Sequence, residues 1–359
     1  MGDDSRMIRS LRPILHRLAA ALACTAFLAP LATQAQKTKE KEPAGHSKAV
    51  QAQIKAAEVP LKAANTLRDA SQFEPAIEKY TEVIKVAPEL FQGYANRGFT
   101  RIELGVMKRE MRNDPAAQTQ ADELFKAGTE DYEMAMKLVP KDKAVVLRND
   151  RANALTRAGS YEVAFADFEI LMKEDPKNLK SYYFNRGVAY LDKATALRDK
   201  VRTEKKSLDA GIAAAKPDFT LAMADFTKTI ELDPKMTASY LNRGTCNTRI
   251  LEYELAVVDY TKAIEIDPAN KRAYRSRGEV NKALAEGLRQ LGDKDKAAEL
   301  KAASDRDFAK YEELTKLPAG AAGGTALPVA PVNAATPAAP AATPAKPAPA
   351  ASPAPAKTP

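Results

Sequence analysis

Residues 237–270 read TASYLNRGTCNTRILEYELAVVDYTKAIEIDPAN. Gly244 and Ala256 are the small residues of this stretch, and small residues facing one another let two helices approach closely. Ala256, Tyr260, Ala263 and Ile264 recur at i, i+4, i+7 and i+8, which is one face of a helix. Pro268 cannot continue that helix, and Asp267 and Asn270 are turn residues on either side of it. The stretch therefore predicts two antiparallel helices in 34 residues.

The same pattern recurs along the chain. YANRG (94–98), YFNRG (183–187), YLNRG (240–244) and YRSRG (274–278) repeat the first half. AIEKYTEVIKVAP (76–88), AFADFEILMKEDP (164–176), AMADFTKTIELDP (222–234) and AVVDYTKAIEIDP (256–268) repeat the second, with a fainter copy in DYEMAMKLVP (131–140). A lone hairpin cannot bury its apolar face, whereas stacked hairpins bury a continuous one. The NRG arginines Arg97, Arg186, Arg243 and Arg277 fall on the packing side, so their stems should pack and their heads pair with a neighbouring acid.

On these residues the chain resembles the tetratricopeptide repeat (TPR) family over roughly residues 57–315, and Tyr240, Gly244, Ala256, Tyr260, Ala263 and Pro268 carry the resemblance across a full repeat. It implies an all-α fold, a right-handed TPR-type solenoid of about six helical hairpins with disordered termini. The units fall near 57–90, 91–142, 145–178, 180–236, 237–270 and 271–317 within a solenoid of 48–317. The first is degenerate, the third has Asn149-Asp150-Arg151-Ala152 in place of NRG, and the sixth repeats the aromatic late, at Asp307-Phe308. Insertions near 106–128, 193–218 and 285–302 are rich in helix formers. They predict longer first helices plus an extra turn or short helix projecting from one edge.

The resemblance further implies a concave inner face of first helices that binds a protein or an extended peptide. Asn96, Asn185 and Asn242 would bond the ligand's backbone, or alternatively only tie adjacent repeats together. Phe184, Val188 and Leu191 form an apolar strip on this face, and Arg249, Arg272, Arg275 and Lys282, with Glu279 among them, a basic end. Guanidinium forks suit carboxylates, so that end points to an acidic or C-terminal peptide.

Composition sets the remaining bounds. Apolar residues make up 45% of the 359, aromatics 6%, and tryptophan is absent, a mix suited to helices packed through small residues. The only histidines are His16 and His46, so the repeats contain no Ser-His-Asp or Cys-His arrangement and no histidine metal ligand. Glycine phosphate loops and CxxC pairs are also missing. The expectation is a protein that is not an enzyme and takes no cofactor. The net charge of +8 is interspersed with acids, which argues against nucleic acid as partner. Cys246 reads as a small core residue.

The N-terminus carries arginines 9, 12 and 17, an apolar run over 18–31, and Thr33-Gln34-Ala35 with small residues placed for cleavage after Ala35. This is the form of a secretory signal spanning 1–35, with Met1 or Met7 as the start. It points to a bacterial exported protein, periplasmic or secreted, with no transmembrane span in the mature chain. An uncleaved anchor, or a lipoprotein through Cys24, are the alternatives. Residues 36–47 read as a flexible polar segment. Residues 318–359, nearly all Ala, Pro, Thr and Gly, read as a disordered extension. An alternative role is a structural envelope component that contacts peptidoglycan or the outer membrane through this tail or the insertions.

Overall fold

A computed structural model describes residues 47–111 and 113–316. The proposed signal, most of the polar segment and the Ala/Pro tail lie outside the described residues. Twelve α-helices follow one another there, and no strand occurs among the described residues. They pair as six antiparallel hairpins: α1 (Lys48–Asp69) with α2 (Phe73–Val86), α3 (Phe91–Glu110) with α4 (Pro115–Leu138), α5 (Lys141–Ala158) with α6 (Tyr161–Glu174), α7 (Leu179–Lys205) with α8 (Leu208–Leu232), α9 (Thr237–Arg249) with α10 (Tyr253–Ile266), and α11 (Lys271–Gln290) with α12 (Lys294–Lys316). Each second helix also packs on the next first helix. First helices touch one another directly at α1–α3, α3–α5, α5–α7 and α7–α9.

One residue frame builds every hairpin. Tyr80, Tyr132, Phe168, Phe226 and Tyr260 occupy the same register on the second helices, and each is almost wholly buried. Burying such a ring contributes roughly 1.5–3 kcal/mol. Small residues bring the paired helices together. A Cβ on Gly98 would lie 2.8 Å from the Gly128 carbonyl oxygen, and one on Gly128 would lie 2.9 Å from that of Gly98, so the two backbones touch. The apolar clusters ignore hairpin boundaries. Cys246 of α9 completes the cluster of α7 and α8, and Ala273 and Val280 of α11 join that of α9 and α10. The structural reading of Cys246 therefore holds: its thiol is buried, and desolvation pushes it up to about 12.

The insertions differ from expectation. They add no extra helix; they lengthen both members of hairpins two, four and six, which then turn tightly. The turns are specified locally. Asp114 accepts from the Ala116 and Ala117 amides ahead of Pro115 at the start of α4. Ser207 accepts from the Ala210 amide at the start of α8. Pro217 suggests a break, yet α8 runs through it. Ala215, Phe219 and Ala222 on its buried face hold the helix together across the missing backbone bond. Likewise α1 begins at Lys48, ahead of the expected first unit, and contains Pro60, with Ala57 and Ala64 buried on either side.

Candidate binding face of the first helices

Behind the face lies a ladder of ion pairs. Arg97 forks onto Asp131 at 3.0 and 2.7 Å, Arg186 onto Asp225 at 2.8 and 2.8 Å, and Arg277 onto Asp307 at 2.9 and 2.7 Å. Arg243 donates to Asp259, at 2.7 Å in its shortest bond. The third unit, which departs from NRG, keeps the ladder: Arg151 forks onto Asp167 at 2.7 and 2.5 Å. The acid always immediately precedes an aromatic of the second helix, buried in every case but the half-buried Phe308. Three of these arginines also reach back to the preceding hairpin, donating to Thr81, Thr227 and Thr261 at 3.0, 3.1 and 3.0 Å. Each such arginine therefore joins three helices. Burial pushes the Asp225 carboxyl up and the fork from Arg186 pulls it back down. The same fork raises Arg186 further above its ordinary range. We take the pair as ionised, because charge-assisted forked bonds favour that state.

The residue before each of these arginines projects on the other side, onto the face that the second helices leave free. Its polar groups divide at hairpin three. In the N-terminal part they are spent within the chain. Asn96 donates to Asn65 Oδ1 at 3.1 Å, and the Tyr80 hydroxyl donates to the same oxygen at 2.7 Å. Asn96 is thus a tie between hairpins one and two. Arg157 pairs with Glu103 across hairpins two and three.

Beyond that point the groups are free. Among the described residues, Asn185, Asn242, Arg249, Arg272 and Lys282 have no hydrogen-bond or ion-pair partner. Arg275 is an exception: it pairs with Glu279 at 3.0 Å, and its guanidinium stands 6.0 Å from the Tyr311 ring centroid. The expected apolar strip is not open surface. Leu191 is buried, and Phe184 and Val188 are half-buried in the same cluster, with Phe184 5.9 Å from Phe226 between ring centroids. Packing of the long fourth hairpin consumes them.

Two carboxylates on this part of the chain were not anticipated as site residues. Asp150 stands on α5 at the register of the NRG asparagines, and Asp192 on α7 two turns beyond Asn185. Neither has a hydrogen bond or an ion pair. Desolvation pushes both carboxyls up to about 6. Asp150 is half-buried. Asp192 is exposed, so its penalty is the more strongly screened by solvent. The departure of Asp150 from NRG was the one sequence signal available for either.

Among the described residues, no group of three His, Cys, Asp or Glu is placed to hold a metal, and no helix is long and apolar enough to cross a membrane. No family model matches the chain, and no curated protein matches it. Solved structures similar to it include MamA, at 16% identity over 56% of this chain and 98% of that one, with a TM-score of 0.36. Another is YrrB, described as a TPR protein with an unusual peptide-binding site, at 16% identity over 63% and 96%, with a TM-score of 0.39. A third is pilF of Pseudomonas aeruginosa, at 14% identity over 74% and 98%, with a TM-score of 0.40. At these values, what those proteins bind says nothing of this chain. Its own repeats and helices define its fold: an all-α array of six TPR-type hairpins on one residue frame.

Proposed function

We propose that the chain is a non-catalytic scaffold that holds an extended peptide, or an extended stretch of a protein partner, against the first-helix face of hairpins three to six. The observation that carries this reading is the pair of unpaired amides, Asn185 and Asn242, at one register on neighbouring first helices. A carboxamide offers both a donor and an acceptor, which suits a peptide backbone. The exposed cations Arg272 and Lys282 and the half-buried Arg249 lie at the C-terminal end of the same row and suit the ligand's acidic or C-terminal group. The absence of histidine from the repeats supports the non-catalytic part, and the signal-like N-terminus supports export to the periplasm or beyond.

A second reading has its own support. Val163, Leu221 and Leu255 are exposed at matching registers of α6, α8 and α10, and Val258 is exposed one turn beyond Leu255. Exposed apolar rows of this kind mark contact surfaces, and a structural envelope role would use them. The full chain, immobilised and passed over envelope extract, separates the two. Capture by wild type that is lost in Asn185→Ala/Asn242→Ala supports the peptide-holding face. Equal capture by both moves the function to the second helices or to the segments outside residues 47–316.

A further inference from the structure

Hairpins two, four and six stand above their neighbours at one edge of the array. Their extra length lies on the turn side of the repeat frame: α7 continues past Gly187 to Lys205, whereas α9 ends at Arg249, shortly past the matching Gly244. At ~1.5 Å per residue, hairpin four reaches roughly 20 Å beyond hairpin five, and hairpins two and six about 10 Å beyond the short hairpins beside them.

The tip of hairpin four is cationic. Arg202 and Lys205 near the end of α7 and Lys206 in the turn are exposed, and none has a hydrogen-bond or ion-pair partner among the described residues. Of the acids close to them in sequence, Asp199 is held by Arg198 at 2.7 Å and Glu204 faces Lys200 at 4.0 Å, which leaves Asp209. A helix C-terminus favours cations, but Lys206 stands past it at a φ of 50°, in the left-handed region where glycine costs less. Beside these charges Leu208 opens α8 with 43% of its surface exposed. The two helices close on each other through Gly211, where an added Cβ would lie 2.6 Å from the Arg198 carbonyl oxygen. That seam leaves Leu208 and the three cations outside it. The other two long hairpins also expose an apolar residue at the tip, Met111 and Leu291, but their described charges are spent or balanced. Arg109 is held by Asp122 at 3.5 Å and stands 4.1 Å from the Phe125 ring centroid, while Lys294 and Lys296 alternate with Asp293 and Asp295.

Unpaired cations around an exposed leucine, at the far end of a projecting helical arm, match the chemistry of an anionic bilayer surface. The charges meet the headgroup phosphates, and the leucine enters the interface between headgroups and acyl chains. An acidic protein or a nucleic acid would engage the charges and leave Leu208 in water. We propose that the tip of hairpin four is a peripheral membrane contact that docks the array on anionic lipid through Arg202, Lys205, Lys206 and Leu208. This inference does not rest on the peptide reading of the first-helix face, and the two fail separately.

The test places an environment-sensitive fluorescent amino acid at position 208 of the full-length chain. Vesicles are then added, made of phosphatidylcholine alone or of phosphatidylcholine with an equal part of phosphatidylglycerol. The probe reports on the tip itself, whatever other segments of the chain do. Its emission should shift to the blue on the anionic vesicles and stay unchanged on the neutral ones, and added salt should reverse the shift. Arg202→Gln/Lys205→Gln/Lys206→Gln, with the helical circular dichroism of wild type, should need at least about tenfold more anionic lipid for the same shift. No shift on the anionic vesicles, an equal shift on both compositions, or a shift that the triple variant keeps would each overturn the membrane contact. A tip that ignores both vesicles, while its three cations are needed to capture protein from envelope extract, would overturn it in favour of an acidic protein surface.

Discussion

At Asp259 a carboxylate with 4% of its side chain exposed has one guanidinium as its counter-charge, and it also accepts from the Asn247 amide at 3.2 Å. Removing one partner of a buried pair leaves an uncompensated charge, worth about 3–5 kcal/mol when burial is complete. Arg243 retains 26% exposure, so Arg243→Ala should cost roughly 2–4 kcal/mol in urea unfolding. Arg243→Met with Asp259→Leu should recover most of that loss; a double variant as unstable as the single would show that shape, not charge, matters there. Asp150 should behave in the opposite way. Its pKa lies at about 6 in the fold. A carboxyl whose folded value is raised above the unfolded one carries a penalty that is absent below the unfolded value and complete above the folded one. Asp150→Asn should therefore stabilise the unliganded array by roughly 1–2 kcal/mol at pH 7.5, well under the ~3 kcal/mol of the full shift because solvent still reaches the group. The gain should vanish near pH 4. Destabilisation at pH 7.5 would mean that a cation does reach Asp150. The sequence revealed the arginines of this ladder and their need for an acid, because spacing places them on the packing side. It did not reveal that Asp150 and Asp192 stand unpaired, because pairing depends on where neighbouring hairpins send Arg157 and Lys193.

The helices themselves carry a contrast between two glycines. A Cβ on Gly211 would lie 2.6 Å from the Arg198 carbonyl oxygen, which belongs to backbone and cannot yield without moving the helix. Gly211→Ala should cost ~1–3 kcal/mol by overpacking. It should speed amide exchange in residues 197–215, the outer part of hairpin four, while leaving α9 to α12 unchanged. Nothing lies within 4 Å of a Cβ on Gly287, inside α11. Gly287→Ala should stabilise by up to ~1 kcal/mol, as expected from helix propensity. Equal effects at the two sites would contradict the close approach at Gly211. The element count and pairing were legible because the 34-residue frame repeats its small, aromatic and proline positions. The form of the insertions was not. Pro217 and Pro60 read locally as breaks, and only the packing of Phe219, Ala57 and Ala64 carries the helices through them. For the same reason Phe184, Val188 and Leu191 looked like open surface: their cover comes from α8, far along the chain.

Over the whole array, stability is a sum of hairpin terms and neighbour terms, since each hairpin touches mainly the next. The arginine–threonine bonds at the one–two, four–five and five–six boundaries are among those neighbour terms. Arg243→Ala removes one of them as well as its own pair, so its unfolding should separate into two transitions where wild type shows a more cooperative one. The assembly leaves two surfaces for a partner: the polar first-helix face with its free amides, and the apolar row on α6, α8 and α10. A photo-crosslinking amino acid placed in the full chain at Asn242 or, separately, at Val258, with adducts from envelope extract identified by mass spectrometry, decides between them. Adducts from position 242 and none from 258 are what a peptide-holding first-helix face predicts. Adducts confined to position 258 would contradict it and assign the function to the outer row.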